Sequence, residues 1–171
     1  MKICVSGSGD KETDRVMKMA YEVGAEIAKQ KCILLTGGCA GVPYEAVKGA
    51  VKENGETVAY SPAKNFNEHT QLYRFPTEGF SKIVYTGKGI PGRNQILVEH
   101  SDGVLLIAGR IGTLNEFTLA YVLGKPIGVL EGSGGITDFI KDIEKICVSF
   151  GSTIFYDNNP KELVRKLRSV M

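Results

Sequence analysis

The chain has no tryptophan and only two histidines, His69 and His100, in its 171 residues. A metal cage or a Cys/His nucleophile pair would need both histidines to converge from distant segments, so no metal site is expected. The four cysteines, Cys4, Cys32, Cys39 and Cys147, form no C-x-x-C pair, and two of them lie inside apolar runs. That spacing suits neither a zinc ribbon nor a disulfide framework, and buried thiols are the expectation. Only Cys39 falls in a glycine loop. No run of 18 apolar residues occurs, which leaves no candidate for a spanning helix and no membrane partner. The opening MKICVSGSGD reaches glycine too early for the apolar core of a signal peptide, so a cytoplasmic protein is expected. Charge of one sign is lacking too: 21 Lys plus Arg stand against 19 Asp plus Glu, a net +2. So even a balance does not suit a chain that neutralises a phosphate backbone, and nucleic acid is not an expected partner.

Glycine, by contrast, is abundant, at 21 of 171 residues, about one in eight against a usual ~7%. Length and composition suit one domain, residues 1–171, with a single large core. Short apolar runs at 3–6, 32–36, 57–61, 82–86, 103–108, 126–130 and 152–156 are bounded by glycine, proline or charge and read as buried parallel strands. Between the first two, Val16, Ala20, Val23 and Ile27 recur at helical spacing and predict a helix covering one sheet face. Further helices are expected around 42–54, 91–100, 113–123, 136–148 and 160–170. The last is announced by Asn159 as N-cap, Pro160 at N1 and Glu162 at N3, and its basic residues read as a solvated face. This alternation predicts an α/β fold: a single-domain, Rossmann-like, doubly wound and mainly parallel sheet of about seven strands, with helices on both faces. The connection from Pro62 to Gly79 has no clear period and is long enough to suggest a lid or an oligomer arm.

In such sheets ligands bind beyond the carboxyl ends of the strands, and three strand ends deliver glycine clusters there. They are Ser6-Gly7-Ser8-Gly9-Asp10, Thr36-Gly37-Gly38-Cys39-Ala40-Gly41 and Ala108-Gly109-Arg110-Ile111-Gly112-Thr113. Glycines free backbone N–H groups to face an anion at a helix N-terminus, so a phosphate is the natural guest. Each cluster taken alone also reads as a tight strand-to-helix turn. The first loop lacks the third glycine of a dinucleotide fingerprint, and no G-x-x-x-x-G-K-[ST] is present. A simple NAD domain and a P-loop NTPase are both disfavoured.

The stretch from Gly92 to Glu116, GRNQILVEHSDGVLLIAGRIGTLNE, resembles the motif region of the LOG (lysine decarboxylase-like) superfamily. The segment LLTGGCAGVPYEAVKGAVKENGETVAYSP is similar to the family's second glycine loop with its following helix and strand. The G-R-N form looks closest to the branch containing the molybdenum cofactor carrier proteins. The resemblance implies a Rossmann-like fold and an even homo-oligomer, and its characterised enzymes are phosphoribohydrolases that release base and ribose 5-phosphate from nucleoside 5′-monophosphates. By the same resemblance Arg93 and Glu116 match the catalytic pair. The binding residues expected on this edge are Gly7, Ser8, Gly9, Gly37, Gly38, Gly41, Asn94, Gly109, Arg110, Gly112 and Thr113. Thr113-Leu-Asn-Glu116 also reads as a capping box, and Asn94 fits either a loop anchor or a ligand contact.

Where the enzymes have Pro and then Gly-Gly, this chain has Ala108-Gly109-Arg110, so Arg110 either clamps a further phosphate or blocks the nucleotide pocket. Two functions follow as expectations: a binder of a phosphorylated nucleotide-type ligand with phosphoribohydrolase activity, or a non-catalytic carrier of a phosphorylated pterin such as the molybdenum cofactor. Neither requires a resident cofactor, and a bound nucleotide or molybdopterin-type ligand suits both. Aromatic residues at Phe66, Tyr73, Phe75 and Phe80 suggest a homodimer or larger even assembly.

Overall fold

The computed structural model describes residues 1–148 and 151–171. Strands β1 (Lys2–Gly7), β2 (Ile33–Thr36), β3 (Thr57–Ser61), β4 (Lys82–Tyr85), β5 (Gly103–Ile107), β6 (Ile127–Leu130) and β7 (Ile154–Asp157) form one sheet in the order β4-β3-β2-β1-β5-β6-β7. Every pairing is parallel, as the apolar runs predict. The chain walks outward from β1 to β4, then returns to pair β5 with the free side of β1, with Ile3 opposite Gly103 and Gly7 opposite Ile107. The winding direction reverses there, so a crevice opens over the carboxyl ends of β1 and β5.

Helices cover both faces. On one, α1 (Asp14–Lys29), α2 (Val42–Lys52) and α6 (Pro160–Arg168) pack over a core that includes Val16, Val23, Ile27, Val47, Leu105 and Leu163. The expected stripe on α1 is buried throughout. The close packing of α1 on α2 depends on Gly24, where a Cβ would stand 1.8 Å from the Ala46 carbonyl oxygen. On the other face, α3 (Gly89–Glu99), α4 (Ile111–Val122) and the start of α5 (Ile140–Ile146) enclose Leu97, Leu106, Phe117, Ile127 and Ile140.

Most expected elements appear with ends moved by a residue or two. Both α3 and α4 begin two residues earlier than the patterning suggests, so Arg93 and Thr113 sit deeper in their helices. The expected helix over 136–148 is instead a 3-10 turn, Gly135–Phe139, followed by the short α5. Gly132, Gly134 and Gly135 all hold positive φ, and the chain leaves β6 too tightly turned for an α-helix to start at once. Asn159 caps α6 as predicted, its side chain accepting from the amides of Lys161 and Glu162. His100 lies at the far end of α3 from the glycine loops, its Nδ1–H donating to Ile96 O at 2.8 Å and its ring packing on Tyr60. In the long connection one π-helical turn, Glu68–Leu72, interrupts the irregular backbone.

Candidate functional site

The first two glycine loops are knitted to each other. Gly7 must be bare because a Cβ would stand 2.6 Å from Val42 Cγ1 and 2.7 Å from the Ile107 carbonyl oxygen. The amide of Val42 donates to Ser8 O at 2.9 Å, and the Thr36 hydroxyl accepts from the Gly38 amide at 3.0 Å. The third loop is braced from behind. The Ala108 amide donates to Ser133 Oγ at 2.8 Å, and Ile136 N donates to Gly109 O at 2.9 Å. Ala108 itself holds φ of 50°. Proline can adopt no such φ and has no N–H to give Ser133, so the exchange of proline for alanine in this motif follows from the backbone.

Over these loops lies a cavity of about 410 Å³. Gly7, Gly9 and Asp10 line it from the first loop, and Gly37, Cys39 and Ala40 from the second. Arg93 and Asn94 come from α3, and Gly112, Thr113 and Glu116 from α4. Its volume falls within the ~300–1,000 Å³ usual for small-molecule sites. Of the residues expected at this edge, Ser8, Gly38, Gly41, Gly109 and Arg110 stand behind or beside the wall and do not line it.

Arg93 and Glu116 meet although 23 positions separate them, with Arg93 Nη1 donating to Glu116 Oε1 at 3.2 Å. Ser6 Oγ at the end of β1 donates to the other carboxylate oxygen, Oε2. Gly37 makes room for the guanidinium: a Cβ there would stand 2.0 Å from Arg93 Nη1. Burial pushes the Glu116 carboxyl above the ordinary carboxylate range, opposed by the Arg93 charge and the Ser6 hydrogen bond. Cys39 is likewise pushed up, to about 11, mainly by burial, so at neutral pH it is a thiol and no nucleophile.

The capping box is not formed. Helix α4 starts at Ile111 with no side-chain cap, Thr113 lies inside the first turn against Gly109, and Glu116 spends its oxygens on Arg93 and Ser6. Two buried polar atoms here have no partner: Arg93 Nε and Asn94 Oδ1, although Asn94 Nδ2 donates to Asn115 Oδ1 at 2.9 Å. Leaving such groups unpaired costs roughly 1–3 kcal/mol each, so each calls for a partner that a bound molecule or water can supply. Arg110 turns outward, its exposed guanidinium 2.5 Å from Asp10 Oδ2, and does not fill the cavity.

Several wall residues were not in the expected set. Ser6 carried a signal, since it stands in the first loop's own sequence. Pro43, Ile90 and Arg74 carried none, and Tyr73 and Phe75 stood out only as aromatics of a connection that reads as a lid or an oligomer arm.

A parallel sheet with a cavity of mixed polar and apolar lining over its switch point defines a Rossmann-like α/β protein with a small-ligand crevice. More particularly, the chain belongs to the SLOG cluster4 family, which it matches over residues 1–164. An uncharacterised protein of Archaeoglobus fulgidus is 34% identical over 134 residues, covering 77% of this chain and 80% of the relative. The molybdenum cofactor binding protein of Rippkaea orientalis is similar in structure, with TM-score 0.80 and 29% identity over 99% of this chain and 96% of that one. The molybdenum cofactor carrier protein of Chlamydomonas reinhardtii is also similar, with TM-score 0.75 and 26% identity over 98% of both chains.

Proposed function

We propose that the protein is a non-catalytic binding or carrier protein for a phosphorylated pterin of the molybdenum cofactor type, acting as one ligand-binding unit over residues 1–171. The observation that carries this reading is the cavity at the β1/β5 switch point, lined by the glycine loops and by Arg93 and Asn94, whose buried Nε and Oδ1 lack partners. The loops offer backbone N–H groups and helix N-termini to a phosphate. The two unpaired atoms are a donor and an acceptor, which a polar heterocycle can satisfy once either side chain shifts slightly. Whole-chain likeness to the Rippkaea and Chlamydomonas proteins supports the pterin as ligand. The metal in such a ligand is cargo, and its soft neighbour on the wall would be the Cys39 thiol.

Hydrolysis is the second reading, because Arg93 and Glu116 do approach each other as phosphoribohydrolase chemistry requires. Against it, both Glu116 oxygens are already engaged by Arg93 and Ser6, which disfavours a free base for water. Native mass spectrometry of the protein purified from a molybdenum-using host is expected to show a bound phosphorylated pterin. Incubation with a panel of nucleoside monophosphates is expected to release no free base. Steady release of base would replace the carrier by the hydrolase.

A further inference from the structure

The long connection after β3 also reaches the cavity, beside the second glycine loop. It brings Tyr73, Arg74 and Phe75 to the wall, and the two aromatic rings lie 5.4 Å apart, centroid to centroid. His69, one turn earlier, is completely buried. Pro76 O, 3.0 Å from Nε2, can only accept, so Nε2 carries the proton. Nδ1 then accepts from the Ser61 hydroxyl at 2.8 Å, and Ser61 Oγ in turn accepts from the Ala63 amide at 3.1 Å. Both ring nitrogens are satisfied in one tautomer. The same ring meets Phe75 edge-on at 5.6 Å, and the Phe75 amide donates to His69 O at 3.0 Å. Arg74, between the two aromatic residues, holds φ of 53°, a strained left-handed turn that persists only because its neighbours are fixed. On its other side His69 abuts the second glycine loop, where a Cβ on Gly38 would stand 3.4 Å from Cε1.

We propose that Tyr73 and Phe75 are the stacking wall for the planar heterocycle of the bound ligand, with His69 as the residue that positions them. This rests on the site reading above and adds where the flat part of the ligand lies, with phosphate on the glycine loops and ring on the aromatic wall. A π-face is common to every aromatic heterocycle, so the wall selects phosphorylated planar heterocycles as a class. Stacking of one base on aromatic side chains is worth roughly 5- to 150-fold in affinity.

The test uses two probes that share a phosphate and a ribose and differ in the ring: guanosine 5′-monophosphate and ribose 5-phosphate, titrated calorimetrically. The wild-type protein is expected to prefer the nucleotide by roughly 5- to 150-fold. In the double variant Tyr73→Leu, Phe75→Leu that preference should collapse while the affinity for ribose 5-phosphate stays within twofold. His69→Ala should lose the preference in the same way, and His69→Gln, which keeps an N–H toward Pro76 O, should retain most of it. If His69→Ala fails to fold by circular dichroism, the leucine pair decides. Equal affinity of the wild-type protein for both probes, or a preference that survives the leucine pair, overturns the stacking wall and leaves the phosphate site standing. Binding of neither probe removes both the wall and the site it serves.

Discussion

Arg110 occupies a position where the LOG pattern has glycine, and its guanidinium pairs with Asp10, with side chains 70% and 68% exposed. So exposed a pair contributes about 0–1 kcal/mol, which makes Asp10 easy to displace by a phosphate. A charge-assisted contact to that phosphate is worth on the order of 1.5–3 kcal/mol. Arg110→Gly should therefore weaken binding of the phosphorylated ligand roughly 10- to 150-fold by calorimetry. A change within twofold would return Arg110 to the solvated surface, and tighter binding would mean it had been in the way. Glu116 makes a second prediction, through pH. Its carboxyl is held above the ordinary range chiefly by burial, so the folded protein keeps a proton there that the unfolded chain has released. Stability from this group is present below the unfolded value and is lost as pH rises through the raised folded value. Glu116→Gln removes that slope. The thermal midpoint of the variant relative to the parent should climb as pH rises across that interval, and groups such as Asp157, held low by Lys166, cancel in the comparison. A difference that stays flat with pH would show that Glu116 does not titrate there.

Elements differ in how much of them local sequence can announce. The seven strands were legible because each is a short apolar run, α1 because of its apolar stripe and α6 because of its cap residues. The glycine loops were legible for a related reason: only a chain that must bring backbone close to something concentrates glycine at successive strand ends. Glu116 was harder. Thr113 and Glu116 have capping-box spacing, but α4 gained an extra two residues at its start, and the carboxylate was claimed by Ser6 and Arg93 from two other elements. Tyr73 and Phe75 stood out only as aromatics of a long connection that suggested a lid or an oligomer arm; their place on the cavity wall was not legible, since it is held by His69 reaching Ser61 and Pro76, contacts that have no period. The pairing of β5 beside β1 is equally non-local. Gly37 tests how tightly the loop after β2 is fitted to its neighbours. Gly37→Ala puts a methyl 2.0 Å from Arg93 Nη1, so the guanidinium must leave Glu116 or the loop must move. Overpacking of this kind costs typically 1–3 kcal/mol, and loss of ligand binding should accompany it. Denaturant unfolding and titration of the same sample check both, and a variant as stable and as competent as the parent would show that the loop can yield freely.

At the scale of the whole molecule, apolar side chains remain uncovered at several places on the surface, among them Phe66 and Leu72 on the long connection and Ile111 and Val122 on α4. An even homo-oligomer would cover such surfaces. Light scattering at micromolar concentration is expected to give an even multiple of the 18.5 kDa chain, and a monomer mass would count against it. No helix among the described residues is long and apolar enough to cross a membrane. The sheet itself has a seam. The three glycine loops follow β2, β1 and β5, which are neighbours, and the winding changes direction between the last two. A molecule held by all three loops therefore acts as a clasp, joining the half of the sheet that runs out to β4 with the half that runs out to β7. Opening along that seam would have to release the clasp first, at a cost of about 2.7 kcal/mol when ligand stands at 100 times its dissociation constant. Loading should thus slow amide exchange along the full length of β1 and β5, down to Ile3 and Val104 at the end of the sheet remote from the cavity, and the deepest strands of the protein would report whether its mouth is full.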